Sequence, residues 1–207
     1  MELTRLELIG FKSFADKTQF RFDRGITALV GPNGCGKSNI VDSIKWVLGE
    51  QSVKSLRGAA MSDVIFSGTE TRKPLGFAEA SITFANVRQV LNIDADEVTV
   101  TRRVYRNGEG EYLINREPAR LRDVREMFMD TGIGLNAYSI IEQGRVSYLL
   151  QANSQERRHI FEEAAGISRF KARKKAALSR MAKTDQHLLH LVSVIEEVHR
   201  RLHAVKV

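Results

Sequence analysis

The fold class of this 207-residue chain is decided by the stretch Gly31-Pro32-Asn33-Gly34-Cys35-Gly36-Lys37-Ser38. It matches in full the pattern Gly-x-x-x-x-Gly-Lys-Ser/Thr, whose backbone N–H groups curl around a polyphosphate. Glycine is needed there because a Cβ would crowd so tight a turn. The short apolar run at residues 26–30 precedes the loop and predicts a strand buried on both faces. Strand, loop and a following amphipathic helix predict an α/β lobe with a phosphate-binding loop.

The residues of this loop have separate chemical roles in that interpretation. The helix that starts near residues 36–37 directs its positive end at the bound anion. Lys37 adds a mobile positive charge for the β- and γ-phosphates, and the Ser38 hydroxyl can bind Mg²⁺. Cys35 is interpreted as a small residue that lines the loop. The predicted nucleotide-binding residues of this stretch are Gly31, Pro32, Asn33, Gly34, Cys35, Gly36, Lys37, Ser38 and Asn39.

Apolar periodicity predicts the other elements of the first 150 residues. A helix is predicted at residues 39–48, ended by Gly49, and another at 120–129. The dipeptide Asn107-Gly108 predicts a hairpin turn. The remaining predicted strands are 3–9, 18–22, 77–87, 98–105 and 111–114.

The pattern changes after residue 152. Asn153, Ser154 and Glu156 predict a helix N-terminus, and the helix is expected to bend near Gly166. A heptad repeat then continues almost to the last residue and predicts one strand of a coiled coil, whose partner helix lies outside this sequence. We therefore divide the chain into a lobe at 1–152 and a helical neck with the first coiled-coil segment at 153–207. The predicted a and d positions are Phe170, Lys174, Ala177, Met181, Thr184, Leu188, Leu191, Ile195, Val198, Leu202 and Val205.

Composition and charge narrow the function classes. Apolar residues make up 43% of the chain, which is typical of a packed protein, and one cysteine excludes a disulfide framework within it. We expect no membrane span and no secretory signal, and hence a cytoplasmic protein. Residues 151–207 carry 12 Lys and Arg against 6 Asp and Glu. The run from Arg169 to Lys183 is basic and contains no acidic residue, the next one being Asp185. It indicates binding to phosphate backbones, binding to an acidic protein surface, or simply a solvated helix face.

Residues 31–52, which read GPNGCGKSNIVDSIKWVLGEQS, resemble the head of a structural maintenance of chromosomes (SMC) ATPase. The resemblance covers nearly the whole chain, and several of its motifs are typical of the bacterial members of that family. Only residues 77–118 are nondescript. The further matching segments are GFKSF at 10–14, SLRG at 55–58, DVIFSG at 63–68, TGIG at 131–134, YSIIEQGR at 138–145, ERR at 156–158 and IFEEAAGI at 160–167.

The resemblance implies a P-loop, ABC-type ATPase lobe followed by a long coiled-coil helix, with ATP and Mg²⁺ as ligands. It implies that Gln143 is the Q-loop glutamine, which helps to hold Mg²⁺ and to position the attacking water. Lys12 and Ser13 resemble residues near the nucleotide. Arg57 resembles an arginine that couples DNA to hydrolysis across the head dimer, and its permanent charge suits phosphoryl-charge stabilisation. The catalytic candidates are thus Gln143, Lys37 and Arg57, and the metal ligands are Ser38 and Gln143.

Two motifs that hydrolysis requires do not occur in the sequence. No four apolar residues are followed by Asp-Glu, and there is no Leu-Ser-Gly-Gly-type motif. In the SMC family both lie in a C-terminal half of the same protein, so this chain alone is expected to be inactive. The resemblance further implies a second head in a homodimer, a kleisin-type subunit, double-stranded DNA as partner, and a nucleoid-associated location.

Two other hypotheses about the function of the chain remain open at this point. The chain could be a coiled-coil interaction module in which nucleotide is only a structural ligand, although docking alone would not need a complete phosphate loop. It could also be a related DNA-repair ATPase of the same superfamily, against which the strings WVLGEQS and EEAAGI argue.

Overall fold

A six-stranded antiparallel sheet forms the framework of the protein. The computed structural model describes residues 1–91, 94–129, 131, 133, 140–141, 153, 158, 162 and 167–205. Within these residues the strand order is β2-β1-β3-β4-β5-β6, and each neighbouring pair is antiparallel. The strands are β1 (Glu2–Ile9), β2 (Thr18–Arg21), β3 (Phe77–Ala85), β4 (Glu97–Tyr105), β5 (Gly110–Ile114) and β6 (Glu117–Ala119).

Helices lie between and after these strands. The sequence predicted the helices at Lys37–Val47 and Leu121–Phe128, and the five strands β1 to β5, to within two residues at each end. It did not predict β6, α2 or a short 3₁₀ helix at Met61–Val64. The helices are α1 (Lys37–Val47), α2 (Arg88–Leu91), α3 (Leu121–Phe128) and α4 (Ser168–Val205).

The two faces of the sheet differ because side chains alternate along each strand. On one face, apolar side chains of β1, β3 and β4 are covered by α1, and α3 packs against β5. Trp46 of α1 is fully buried, with its ring 5.2 Å from that of Phe11. On the other face, hydroxyl groups pair across β3 and β4, as Ser81 does with Thr101 at 2.8 Å. The core therefore lies between this sheet and the helix that follows the phosphate loop.

The C-terminal end of α1 is fixed by two arginines from other elements. The guanidinium of Arg102, on β4, donates to the carbonyls of Trp46 at 2.8 Å and Glu50 at 2.7 Å. It lies 4.8 Å from the Trp46 ring centroid and 5.0 Å from that of Tyr112. Arg125 of α3 donates to the Gly49 carbonyl at 2.9 Å. Because a helix carries partial negative charge at its C-terminus, both cations stabilise α1 there.

Arg102 occupies an apolar position of its strand. Val98, Val100 and Val104 lie on the same face of β4, and Arg102 is only 6% exposed among them. Burial lowers the pKa of Arg102, because the charged form loses hydration. The carbonyls and the two aromatic faces replace that hydration, so this buried charge depends on α1 for its partners.

The predicted strand at residues 26–30 is not observed. This segment pairs with no other strand among the described residues, and its apolar side chains are exposed, with Ile26 at 102% and Val30 at 90%. A strand that is buried on both faces needs neighbouring strands, and the antiparallel sheet passes elsewhere. The prediction of a buried strand was therefore wrong for the chain by itself.

The apolar seam of α4 is exposed as well. Phe170, Met181, Leu191, Ile195 and Leu202 are each between 53% and 65% exposed. Such a seam is stable in water only against a partner helix. The start of the predicted neck, at Ser154 and Glu156, and its predicted bend at Gly166 lie outside the described residues. In the part of the chain that is described, no helix combines the length and the apolar character needed to span a bilayer.

The Arg102 contacts predict a large effect of a conservative substitution. We expect Arg102→Lys to lower the free energy of unfolding by about 2–4 kcal/mol, because one ammonium cannot reproduce two buried charged hydrogen bonds and the stacking. Urea unfolding followed by circular dichroism measures this. Arg103→Lys is the matched control, since Arg103 is next in β4, lies on the opposite face and is 32% exposed beside Glu79. Its effect should stay below about 1 kcal/mol. If both variants lost the same free energy of unfolding, the proposed role of Arg102 in fixing α1 would be contradicted.

Candidate nucleotide-binding site

In the loop at residues 31–38, the backbone at Gly31 and Gly36 leaves no room for a side chain. Gly36 is the residue before α1 and has φ 98°, in the left-handed region that favours glycine. A Cβ on Gly36 would lie 2.8 Å from the Ser13 hydroxyl and 3.4 Å from the ring of Phe14. A Cβ on Gly31 would lie 2.9 Å from the sulfur of Cys35. The motif glycines therefore allow the loop to close on itself and against the turn that follows β1.

Lys37 lies along the inside of this loop. Its Nζ donates to the Gly31 carbonyl at 2.5 Å and to the Pro32 carbonyl at 2.7 Å. It is also 3.7 Å from the Cys35 sulfur. The ammonium thus lies within the turn formed by its own loop, where it can meet an anion that the loop surrounds.

The N-terminus of α1 has no competing anion of its own. Among the described residues no side chain caps the helix, and its first turn contains no acidic residue. Most helices carry Ser, Thr, Asp or Asn at the N-cap position, where α1 has Gly36. The Asn39 N–H donates to the Gly36 carbonyl at 2.9 Å, which leaves the N–H groups of Lys37 and Ser38 for another acceptor. Ser38, in the same turn, is exposed. An ammonium, a helix N-terminus and a hydroxyl around a glycine loop form a donor set that fits a polyphosphate with a divalent cation.

A second group of polar residues lies beside the loop, and we call it the Asp42 cluster: Lys12, Ser13, Asn39, Asp42 and Arg57. Asp42 is 6% exposed, and its Oδ2 accepts from Lys12 Nζ at 2.5 Å. The same oxygen accepts from Arg57 Nε at 3.0 Å and from Arg57 Nη2. Arg57 Nη2 also donates to Asn39 Oδ1 at 3.0 Å, and Asn39 Nδ2 donates to the Ser13 hydroxyl at 2.9 Å. The cluster therefore joins the turn after β1, the first turns of α1 and the loop that carries Arg57.

Sequence reasoning identified four members of this cluster but missed Asp42. Lys12 and Ser13, Asn39, and Arg57 come from three separate segments of the sequence, and the structure brings them all to the N-terminal half of α1. The only sign of Asp42 in the sequence is that it is a charged residue within the predicted amphipathic helix 39–48. The structure shows that it is buried. A buried carboxylate requires charged or hydrogen-bonding partners, which here are the two cations.

The backbone at both cations is in an unusual conformation. Lys12 has φ 49° and Arg57 has φ 58°, which non-glycine residues adopt only when surrounding contacts hold them. The Lys12 N–H donates to the Val64 carbonyl at 2.7 Å, and the Arg57 N–H donates to the Lys54 carbonyl at 2.9 Å. Both residues thus sit in turns whose shape is held by backbone hydrogen bonds.

Asp63 closes the loop that carries Arg57. Its carboxylate accepts from the N–H groups of Ala59 at 2.7 Å and Ala60 at 2.8 Å. The hydrogen bonds from Ala60 and Ala59 lower the pKa of Asp63, because they favour its charged form. Gln143, the remaining predicted site residue, lies outside the described residues.

The chain belongs to the family described as RecF/RecN/SMC N terminal domain, whose sequence pattern matches residues 2–191. It is 60% identical over 204 residues to the chromosome partition protein Smc of Rhodopirellula baltica. That alignment covers 99% of this chain and 17% of the relative, so the chain spans about a sixth of the length of such proteins. The SMC resemblance and the fold class predicted from the sequence are confirmed.

Solved structures with the same fold include two from SMC proteins. An Smc head bound to the C-winged helix domain of ScpA is 37% identical, with a TM-score of 0.77 over 84% of this chain and 53% of that chain. A chain from work on ATP-driven dimerization and DNA stimulated activation of SMC ATPases is 36% identical. Its TM-score is 0.71, over 79% of this chain and 99% of that chain.

The contact between Gly36 and Ser13 predicts a specific effect of adding one methyl group. We expect Gly36→Ala to lower the free energy of unfolding by about 2–3 kcal/mol, because the strained φ and the 2.8 Å approach to Ser13 act together. Gly25→Ala is the matched control, since Gly25 has φ 101° but nothing within 4 Å of its Cβ position. That variant should lose only about 1 kcal/mol from backbone strain. Urea unfolding of both variants would contradict the close packing if Gly36→Ala were no worse than Gly25→Ala.

Proposed function

We propose that this chain is the N-terminal lobe and first coiled-coil segment of an SMC ATPase head that binds ATP with Mg²⁺. The observation that carries the proposal is the closed glycine loop with Lys37 inside it, at the uncapped N-terminus of α1. Residues 1–152 form the nucleotide-binding lobe, and residues 153–207 form the neck and the start of the coiled coil. The relative whose structure is described in terms of ATP-driven dimerization supports the nucleotide assignment.

The proposed nucleotide contacts follow from the types of group in the loop. Backbone N–H groups between Asn33 and Ser38 surround the phosphates, with Gly31, Pro32 and Asn39 at the two ends of the site, and Lys37 neutralises the β- and γ-phosphate charge. A bound Mg²⁺ would supply positive charge that offsets the negative charge of the phosphates. The Ser38 hydroxyl and the Gln143 side-chain carbonyl are its proposed protein ligands. Lys12 and Ser13, in the turn beside Gly36, lie at the edge of the nucleotide site.

Hydrolysis in this proposal needs groups that the chain does not contain. Gln143 orients the attacking water, and Arg57 stabilises charge at the transferred phosphoryl group. The acidic pair for Mg²⁺ and water comes from a C-terminal half of the same protein. The exposed apolar segment at residues 26–30 supports this, because it has the composition of a buried strand and no strand beside it among the described residues. The cap over the nucleotide comes from a second head, in a homodimer.

Two surfaces support the remaining partners. The exposed seam of α4 fits a returning helix of the same protein in an antiparallel coiled coil. An Smc head has been solved with the C-winged helix domain of ScpA, which favours a kleisin-type partner here. A groove between α3 and α4 is suited to double-stranded DNA, since arginines neutralise phosphates. The arginines lining that groove are Arg120, Arg122, Arg125, Arg173 and Arg180. The proposed location is the cytoplasm, on the nucleoid.

ATP binding should depend on Lys37. We expect Lys37→Ala to weaken ATP binding to the complete head by about 100-fold, because charged hydrogen bonds to the phosphates are lost. Calorimetry with ATP and Mg²⁺ measures the affinity. Lys17→Ala is the control, since Lys17 is 67% exposed and pairs only loosely with Glu7 at 3.7 Å. Equal affinity of wild type and Lys37→Ala would refute the phosphate-loop assignment.

Turnover should require the parts that lie outside this chain. The 207-residue chain is expected to release no phosphate above background, even with saturating ATP and Mg²⁺. The C-terminal half added in trans should restore activity that rises more than linearly with protein concentration, because two heads must meet. Steady-state phosphate release, with and without duplex DNA, measures both.

In the restored complex, Gln143→Ala should keep most ATP binding and slow turnover, because the amide positions water and metal. Gln19→Ala, at an exposed position of β2, is the control. Robust turnover by the chain alone, or a strictly linear dependence in the complex, would be incompatible with the proposal.

A further inference from the structure

Asp42 has more partners than charge balance requires. A single oxygen of its buried carboxylate accepts three hydrogen bonds from two cations. Lys12 alone would neutralise the carboxylate, and the Lys12 side chain is only 13% exposed beside it. The Arg57 side chain is 53% exposed, so its guanidinium could remain in water without Asp42. The contact therefore determines where Arg57 lies rather than whether its charge is hydrated.

The geometry restrains Arg57 in several ways at once. Nε and Nη2 lie on the same edge of the planar guanidinium, and both donate to Asp42 Oδ2. Nη2 also donates to Asn39, the residue next to Ser38 of the phosphate loop. A free arginine side chain has about 2 kcal/mol of rotamer entropy, and these bonds restrict it to one orientation beside α1. Because α1 is itself fixed at its C-terminus, Asp42 attaches the Arg57 guanidinium to a rigid helix.

Lys12 completes the restraint from the other side. Its Nζ donates both to Asp42 and to the Leu56 carbonyl at 2.6 Å, and Leu56 is the residue before Arg57. Asp42 thus holds the Arg57 side chain directly and the Arg57 backbone through Lys12. The left-handed φ of 58° at Arg57 is maintained between these two contacts.

We propose that Asp42 is a positioning residue for hydrolysis, which fixes the Arg57 guanidinium beside the phosphate loop through a carboxylate shared with Lys12. The proposal rests on the proposed ATPase function and adds to it a residue that does not itself touch the nucleotide. An Arg57 that is free to reorient reaches the productive geometry less often, so turnover falls while nucleotide binding is retained.

The test uses the full-length protein, as its homodimer, and measures kcat and KM for ATP with Mg²⁺. We expect Asp42→Asn to lower kcat by about tenfold and to change KM by no more than about twofold. Asp42→Glu keeps the charge and should give a kcat between those of wild type and Asp42→Asn. Asp16→Asn is the matched control, because Asp16 also pairs with an arginine, Arg72, at 2.7 Å but is exposed and outside the cluster. Its kcat should equal that of wild type.

A double-mutant cycle separates positioning from a general structural role. In an Arg57→Ala background, Asp42→Asn should change kcat by less than about twofold, because the group that it positions is gone. An equal loss in both backgrounds, or no loss in either, overturns the proposal, and so does an Arg57→Ala variant with wild-type kcat. If thermal melting shows that Asp42→Asn does not fold, Asp42→Glu is compared with wild type in the same two backgrounds, with the same expectations.

The proposed ATPase function and the role of Asp42 fail in different ways. If wild type does not hydrolyse ATP, or binds it no better than Lys37→Ala does, the ATPase function fails and the role of Asp42 fails with it. If wild type turns over and Lys37→Ala does not bind, a kcat of Asp42→Asn equal to that of wild type overturns the positioning role alone.

Discussion

The geometry of this lobe depends on the hydrogen bonds that Arg102 donates at the C-terminal end of α1. The Arg102 side chain is charged and buried among valines, and its lost hydration is replaced by the carbonyls of Trp46 and Glu50 and by two aromatic faces. The helix and the sheet are therefore stabilised together, since neither satisfies its polar groups without the other. Arg125 adds a second cation from α3 at the same helix end. Because an α-helix is rigid over three turns, fixing one end sets the direction of the other, and with it the position of the phosphate loop.

The charges around α1 follow from this arrangement. Cations at the C-terminus complement the helix dipole, whereas Lys12, Arg57 and Lys37 gather near the N-terminus, where the dipole repels them. Asp42 balances one of these three positive charges from within the helix. The surplus of positive charge beside the glycine loop suits a polyphosphate, whose several negative charges attract both the cations and the helix N-terminus. The helix dipole and the charges around it thus account for the arginines at the C-terminal end of α1, for the Asp42 cluster and for the proposed ligand.

The sequence predicted those features that local patterns encode. The phosphate loop and α1 follow from glycine spacing and helical periodicity, and the strands of the sheet follow from alternation. Residues 26–30 were misread because burial on both faces depends on neighbouring strands, and an apolar run carries no information about whether they are present. Arg102 gave a visible signal, since it replaces an apolar residue in the alternation of Val98, Val100 and Val104. What Arg102 binds could not be predicted, because the two carbonyls that accept its hydrogen bonds lie more than fifty residues away in sequence.

The candidate site shows the same limit. Motif and resemblance pointed to Lys12, Ser13, Asn39 and Arg57 separately, without a reason for their proximity. The reason is a tertiary contact: one buried carboxylate in α1 that accepts from two distant cations. Such a contact depends on how turns from separate segments are folded against the helix. The positive φ values at Lys12 and Arg57 belong to those turns, and no local sequence pattern predicts them.

The topology of the sheet has a consequence for the order of folding. Strands β3, β4, β5 and β6 form a meander in which each strand pairs with the next along the chain. Pairings between near neighbours close short loops, lose little chain entropy and form quickly compared with parallel crossovers. The meander that carries Arg102 can therefore form from local contacts and then receive α1. In that order, α1 and its glycine loop become oriented when the carbonyls of Trp46 and Glu50 meet Arg102 on the meander.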